Sequence, residues 1–327
     1  MELKQVGEFG LIDLIKRKVF SKGKEVILGI GDDTAVLRLN KNNLQLLTTD
    51  TLVEKVHFNL RYFPLEAIGW KGMVANLSDI TAMGGMPKGA VVTLGINHRF
   101  KVEEILSIFS GVSKAAKRFS CPIVGGDVVF SPRHLFVSIA IIGEVKKGFV
   151  IKRTGAKVGD LIAVTGDLGS CLAGLKYLKK NKKSHPSLTK KFLYPLPRLK
   201  ESQLINRFLK PTAMIDISDG LVSELYHLIV ENKLGADIYE ENIPVSKIAF
   251  KIAKGNKKKA LSYALYSGEE YELLFAFNRR KGAVFEKLKR KFRLALIGEV
   301  TNKKGELKLV RAGSRPVSLA YKGYVHF

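Results

Sequence analysis

The 327-residue chain carries 55 Lys and Arg against 30 Asp and Glu, a formal charge of +25, and 46% of its residues are hydrophobic. That is enough chain for two domains with real cores, and its longest apolar stretch, 135–145, is broken by Ser138 and Gly143 and falls short of a membrane span. Its two cysteines, Cys121 and Cys171, have no partners at metal-ligand spacing and fit a reduced, cytoplasmic compartment.

Strand and helix patterns alternate along the chain, so α/β to α+β layering is expected. Residues Met1–Phe20 lack the order of a leader peptide and read as an amphipathic helix with Phe9, Ile12, Ile15 and Val19 on one face. Leu44–Asp50 reads as an apolar strand with Thr-Thr-Asp at its tip, and Pro64–Met83 as a helix opened by a proline suited to the first turn. A strand over Gly89–Ile96, a helix over Val102–Phe119, a short strand Pro122–Val124 before Gly125-Gly126-Asp127 and a strand Leu135–Ile142 follow. Glycines and basic residues across Gly143–Gly155 mark a change of register, so the boundary is placed near residue 147, giving domains 1–147 and 148–327. The second block opens with a strand Leu161–Thr165, a tight turn Gly166–Ser170 and a helix. Ala213–Asp216 reads as a strand running into a helix from Asp219. A strand Tyr271–Phe277, a helix Ala283–Lys291 and a strand Leu294–Ile297 complete the pattern.

Lysine runs such as Lys179–Lys180, Lys190–Lys191 and Lys257–Lys259 lie on predicted loops and helix faces, without interleaved aromatics or a nucleic-acid signature. The positive charge therefore reads as solvated surface, with no specific nucleic-acid partner and no membrane. The acids say more: 11 are Asp and 19 Glu, and seven of the Asp stand in short clusters beside Gly, Ser, Thr or Asn. A short, stiff carboxylate held near the backbone in this way suits a cation site.

No P-loop or protein-kinase signature is present. In Gly29-Ile-Gly31-Asp32-Asp33 two adjacent carboxylates repel unless a cation or donors compensate; an acidic turn is the plain alternative. Magnesium takes hard oxygen ligands and shares carboxylates with substrate phosphates. Thr48-Thr49-Asp50-Thr51 offers such oxygens, and Asp79, in Asn76-Leu-Ser78-Asp79, either points into the same cluster or faces water. The glycines of Gly125-Gly126-Asp127 let a backbone approach phosphate oxygens. In Ile215-Asp216-Ile217-Ser218-Asp219-Gly220, Asp219 reads as a helix cap or charge, but Asp216 sits between apolar residues, which capping does not require. Each motif is weak alone; five in one chain are hard to assign to turns.

Taken in order, these motifs resemble the thiamine-monophosphate kinase family, of the aminoimidazole-ribotide-synthetase-like ATP-binding superfamily. So do Thr-Asp-Thr-Leu-Val with His57-Phe58 downstream, the Ala-Met-Gly after Asp79, Arg153–Asp160, Gly268-Glu-Glu-Tyr-Glu-Leu and the terminal Lys322–Phe327. The match runs through nearly the whole chain. It implies an amino-terminal α/β domain whose sheet pairs with that of a second subunit, an α+β carboxy-terminal domain completing the cleft, and a homodimer. The implied enzyme is a phosphotransferase with a phosphate acceptor, turning ATP and thiamine monophosphate into ADP and thiamine diphosphate with several Mg²⁺ ions. Carried across, Asp33, Thr48, Thr49, Asp50, Asp79, Asp127, Asp216 and Asp219 become metal ligands. Gly126, Asp127, Arg153 and Ser218 become ATP contacts, with Asp50, Asp127 and Arg153 the catalytic set; His57, Glu269 and Tyr321 become the thiamine-phosphate site.

Physical reasoning agrees with this assignment. A phosphate acceptor is already anionic near neutral pH, so no general base is required, and the obstacle is repulsion between a triphosphate and a monophosphate meeting in line. Arg153 suits a bidentate phosphate clamp, Tyr321 stacking on a cationic ring, and Glu269 pairing with that ring or the aminopyrimidine. Tyr321 stands where the family more usually has Trp, Ser267 and Glu270 where it has Gly and Asp, and Thr48 where it has Ser. Plain readings remain for His57, a polar residue packed beside Phe58, and for Tyr321, an aromatic at a domain edge. The rival within the superfamily is a sister enzyme of aminoimidazole-ribotide synthesis, selenide activation or hydrogenase maturation; a basic nucleic-acid-binding protein is the rival of another class.

Overall fold

The computed structural model describes residues 3–20, 23–181, 183, 185–230 and 232–320. The first half runs α1 (Leu3–Lys18), β1 (Val26–Leu28), β2 (Ala35–Arg38), β3 (Asn43–Val53), α2 (Leu65–Ala82), β4 (Met86–Ile96), α3 (Val102–Arg118), β5 (Ile123–Phe130), β6 (Phe136–Lys146). The second begins β7 (Leu161–Thr165), α4 (Ser170–Asn181), α5 (Pro186–Leu193), α6 (Leu199–Leu204), β8 (Ala213–Asp216), α7 (Leu221–Val230), β9 (Gly235–Tyr239). It ends α8 (Lys247–Ile252), α9 (Lys257–Tyr266), β10 (Leu273–Phe277), α10 (Gly282–Lys289), β11 (Leu294–Thr301), β12 (Leu307–Val310), β13 (Val317–Ser318).

Two mixed sheets result. The first, ordered β1-β2-β3-β6-β4-β5, is antiparallel except for β4 beside β5; the second, β13-β12-β9-β11-β7-β10-β8, is antiparallel except for β12 beside β9. In the first sheet the two-residue strand period decides which side chains go inward. On β3, Leu44, Leu46, Thr48 and Leu52 are buried while Leu47, Thr49 and Thr51 are exposed. Register places Thr48, Asp50 and Leu52 opposite Ile141, Ile139 and Val137 on the covered face. Thr48 and Asp50 are thus polar interruptions of an aliphatic surface.

Helix α2 covers that face, with α3 beside it, and also reaches β8 of the second sheet. From Ala67 to Ala82 every residue of α2 but Asp79 is buried, because a helix packed between two sheets needs apolar residues all round. The first sheet's other face carries Leu47, Val91 and Ile142 at 41%, 43% and 42% exposure, and its edge strand β5 leaves Val124, Val128 and Phe130 more exposed still.

Several expectations change. Strand β3 runs on to Val53, so Asp50 lies inside the strand and not at its tip. Strand β5 runs through Gly125-Gly126-Asp127, which is no loop after a short strand. Gly126 has a packing reason: a Cβ there would stand 2.0 Å from Val92 O on the neighbouring strand. The amino-terminal helix is broken at Gly7, and Ile12, Ile15 and Val19 stay 36–46% exposed against the described chain. Among the described residues no helix is long and apolar enough to cross a membrane.

Candidate active site

Beyond the ends of β8 and β10 the two segments stay paired. Ile217 N donates to Glu272 O at 2.7 Å, Tyr271 N to Ile217 O at 2.9 Å and Glu269 N to Ser218 O at 2.6 Å. This continuation lays Asp216–Asp219 alongside Gly268–Glu272. A Cβ on residue 268 would lie 2.8 Å from Ser218 O, so glycine is required. Glu269 and Tyr271 adopt φ of +59° and +50°, left-handed values that cost a non-glycine residue about 1–3 kcal/mol each.

The backbone zigzag sends Glu269 and Tyr271 to a cavity and the fully buried Glu270 and Glu272 away from it. On that far side Lys191 Nζ stands 2.8 Å from Glu270 Oε2 and 2.9 Å from Glu272 Oε1, while Arg198 Nε donates to Glu272 Oε2 at 2.6 Å. Burial pushes the Glu272 carboxyl up, but Lys191 and Arg198 more than reverse this and hold it at about 2. Glu270 Oε1 accepts from Gly169 N at 2.8 Å, Cys171 N at 3.0 Å and Ser267 Oγ at 2.6 Å, and Leu172 N donates to Ser267 Oγ at 2.9 Å. Ser267 and Glu270 thus satisfy amides at the start of α4. The Gly166–Ser170 turn therefore already holds a carboxylate.

Helix α2 supplies another wall. Thr48 Oγ1 donates to Asp79 Oδ2 at 2.6 Å, and Ser78 Oγ donates to Asp216 Oδ2 at 2.6 Å. Asp50, Asp79, Asp216 and Asp219 line a cavity of about 730 Å³ together with His57, Ser218, Glu269, Tyr266, Tyr271 and Glu8. Asp33, Thr48 and Arg153 stand behind this lining. Arg153 Nη2 donates to Asp33 Oδ1 at 2.7 Å, and Arg153 N lies 3.3 Å from both Asp32 carboxylate oxygens. Donors thus compensate part of the Asp32–Asp33 repulsion.

The compensation is incomplete. Burial raises the carboxyl of Asp33 to about 8, with Arg153 opposing and Asp216 and Asp32 adding to the rise. Asp216 rises to about 7, chiefly by burial, with the Ser78 hydrogen bond opposing. Asp219 reaches about 6 by burial and the nearby Glu8 and Asp50. Asp50 is raised by burial, and Asp79 is raised well above the usual carboxylate range by burial and then by Asp50 and Asp216. Asp33 Oδ2 is buried without a hydrogen-bond partner. These anions fit an added divalent cation. Among the described residues no three acidic, imidazole or thiol groups are grouped closely enough to hold a metal ion by themselves.

The structure thus brings together Asp33, Thr48, Asp50, Asp79, Asp216, Asp219, Arg153, Ser218, His57 and Glu269. It does not bring Thr49, Gly126 and Asp127 to the cavity wall. Asp127 is opposite Thr93, Thr93 opposite Ser138 and Ser138 opposite Thr51, which puts Asp127 with Thr49 and Thr51 on the uncovered face. Tyr321 and the Lys322–Phe327 ending lie outside the described residues. The sequence reading gave no role to Ser78, Lys71, Tyr271 or Glu224. Glu224 is 2% exposed and accepts from Asp219 N at 2.9 Å; in the sequence it is an ordinary acid in a helix's first turn. Ser78 was signalled only by its place beside Asp79.

Residues 31–145 match the family described as AIR synthase related protein, N-terminal domain, and residues 157–310 the family described as AIR synthase related protein, C-terminal domain. The thiamine-monophosphate kinase of Aquifex aeolicus (strain VF5) is 36% identical over 285 residues, 86% of this chain and 89% of that one. The enzyme of the same name from Bacillus subtilis (strain 168) is 33% identical over 98% of this chain and 99% of its own, and that of Escherichia coli (strain K12) is 35% identical over 98% of each. A solved structure of AaThiL complexed with AMPPCP and TMP has a TM-score of 0.86 at 34% identity, covering 100% of this chain and 99% of that one. Hydrogenase maturation protein HypE in complex with ATP shares the fold, with a TM-score of 0.73 at 17% identity, over 89% of this chain and 88% of its own. With relatives this similar along nearly its whole length, this chain belongs to the thiamine-monophosphate kinase family.

Proposed function

We propose that the chain transfers the γ-phosphoryl group of ATP directly to the phosphate of thiamine monophosphate, giving ADP and thiamine diphosphate. The observation that carries this reading is a single cavity lined both by Asp50, Asp79, Asp216 and Asp219 and by His57, Glu269, Tyr266 and Tyr271. The carboxylates suit metal-bound phosphates, and the glutamate with its aromatic neighbours suits a cationic ring. His57 Nδ1 accepts from Val53 N at 2.9 Å, so the neutral ring carries its proton on Nε2 and offers a donor.

The residues proposed to hold Mg²⁺ are Asp33, Asp50, Asp79, Asp216 and Asp219, with Thr48 as a further oxygen ligand; Thr49 and Asp127, on the sheet's other face, are proposed as ligands on the family resemblance alone. When bound, the ions supply charge neutralisation between the donor and acceptor phosphates. Arg153 adds a guanidinium beside Asp33 for the phosphate chain. Gly126 and Ser218 complete the ATP contacts in this reading, and Tyr321 joins His57 and Glu269 on thiamine monophosphate. The chain's task is to position both anions in line, and no side chain is asked to take a proton. We place a second copy of the chain on the uncovered face of the first sheet. This homodimer is supported by exposed Leu47, Val91 and Ile142 and by the unpaired edge of β5. A cytoplasmic setting is supported by the buried free thiols Cys121 and Cys171.

The test is ADP release from ATP and Mg²⁺ with thiamine monophosphate present, with the product identified by chromatography. Thiamine diphosphate formed one-for-one with ADP and lost on chelation supports the reading. ATP binding without product turns the search to other phosphate acceptors. Asp50→Asn and Asp127→Asn compared side by side test whether the edge-strand aspartate takes part.

A further inference from the structure

Lys71 plays no part in the chemistry above, yet it is among the largest fully buried side chains of the protein, at 1% exposure in the middle of α2. An ammonium ion taken out of water costs several kcal/mol unless closely paired, so an apolar residue would serve α2 better if packing were the only requirement. Its partner is not another core residue. Lys71 Nζ lies 2.7 Å from Glu269 Oε2, and Glu269 remains 27% exposed at the cavity wall. The ammonium also stands over the ring of Phe192, 3.9 Å from its centroid, with Phe63 at 5.4 Å. Beyond the ion pair, the described residues give Nζ no hydrogen-bond partner. Those rings leave the Glu269 carboxylate as the one anion to which it is directed.

Glu269 needs such an anchor. Its backbone is left-handed, with φ of +59°, and two more carboxylates flank it within three residues. Glu270 and Glu272 are claimed on the far side by Lys191. Two separate cations therefore sort the three glutamates of this turn, Lys191 drawing two away from the cavity and Lys71 holding one at it.

We propose that Lys71 is a positioning residue for thiamine-monophosphate binding: it fixes one oxygen of Glu269 in the wall and leaves the other oxygen for the cationic or amino end of the substrate. The inference rests on the reading that Glu269 faces thiamine monophosphate. It assigns Lys71 no contact with substrate, and it predicts a defect confined to one of the two substrates.

Steady-state kinetics on the full chain, varying each substrate at saturating levels of the other, test it with Lys71→Met, Glu269→Gln and the double variant. Loss of interactions made equally in ground and transition states raises KM and spares kcat, so K71M is expected to raise KM for thiamine monophosphate about tenfold, with KM for ATP and kcat changed far less. If Lys71 acts through Glu269, the losses do not add, and K71M/E269Q matches E269Q alone. The double variant, which removes both charges at nearly constant shape, also carries the test if K71M does not fold. A double variant clearly worse than E269Q, or a K71M that weakens ATP and thiamine monophosphate alike, overturns the proposal while leaving the substrate reading intact. An E269Q enzyme with unchanged KM for thiamine monophosphate overturns both.

Discussion

Ser78 and Asp216 lie 138 positions apart in the chain, and Ser78 Oγ donates to Asp216 Oδ2 at 2.6 Å. The bond joins a helix of the first half to a strand of the second. Beside it, Thr48 donates to Asp79 from the opposite sheet, so adjacent residues of α2 reach into both halves. Each hydroxyl favours the ionised form of the carboxylate it meets.

Removing the Ser78 hydroxyl should therefore act on Asp216. Its carboxyl stands at about 7 with Ser78 opposing the rise, so Ser78→Ala moves it higher and leaves less carboxylate near neutral pH. The acid limb of the pH–kcat/KM profile should shift upward, with about tenfold less activity per pKa unit below the new limb and partial recovery above it. The bond itself contributes about 1 kcal/mol to stability. An unmoved limb would show that Asp216 need not ionise.

Asp79→Asn should separate function from stability. Asp79 is raised well above the carboxylate range by burial and like charges, so its ionised form strains the metal-free protein. Turnover is expected to fall by about a hundredfold or more, while the metal-free variant melts at or above the temperature of the parent near neutral pH. Turnover within a few-fold of the parent would remove Asp79 from the metal set.

The same charges give the metal-free protein an unusual pH response. Asp33, Asp216 and Asp219 stand at about 8, 7 and 6 against an ordinary 3.8. Because these folded-state values are raised, the stability they confer is complete below about 3.8 and is lost progressively as pH rises from there to the folded values of about 6 to 8. Melting temperature should fall across that window in chelator. Mg²⁺ with a non-hydrolysable ATP analogue should restore it, more strongly at higher pH, because protons compete with the metal. A flat chelator profile would contradict the clustering.

Glu272 works with the opposite sign. Its carboxyl is held at about 2 against an ordinary 4.5 by Lys191 and Arg198, so its contribution is complete above about 4.5 and lost as pH falls toward about 2. The difference corresponds to roughly 3 kcal/mol. Glu272→Gln should cost about that much near neutral pH in denaturant unfolding and should flatten the acid-side slope.

Val91→Lys or Ile142→Lys tests the proposed subunit contact. Both residues are exposed on the uncovered face of the first sheet. Light scattering should show parent dimers and variant monomers, since a charge placed at the centre of such a contact costs several kcal/mol. Monomeric parent protein would withdraw the second copy from that face.

Local signals were legible in the sequence where one segment determined its own structure. Strand β7 at Leu161–Thr165 and strand β8 at Ala213–Asp216 follow from short apolar runs bounded by turn residues. The aspartate clusters were equally visible, because Asp beside Gly and Ser departs from the glutamate-rich surface. What escaped depended on distant partners. Gly125-Gly126-Asp127 looked like a loop because glycines weaken any strand signal, and only the parallel pairing with β4 makes it one. Nothing local marks Lys71, whose burial and pairing depend on Phe192 and Glu269, far along the chain. That Asp127 and Asp50 stand on opposite faces of the first sheet follows from strand register, which no single segment contains.

Glu270 has a last consequence for how a nucleotide is recognised. Its carboxylate takes the amides of Gly169 and Cys171 at the head of α4, the kind of helix end at which many nucleotide-binding folds seat a phosphate without help. With that seat taken, the proposed reading leaves the triphosphate facing Arg153 and a larger set of carboxylates that repel it until divalent ions arrive. Free ATP should therefore be a poor ligand, and the supply of divalent ions would act as a gain control on nucleotide affinity before any turnover begins.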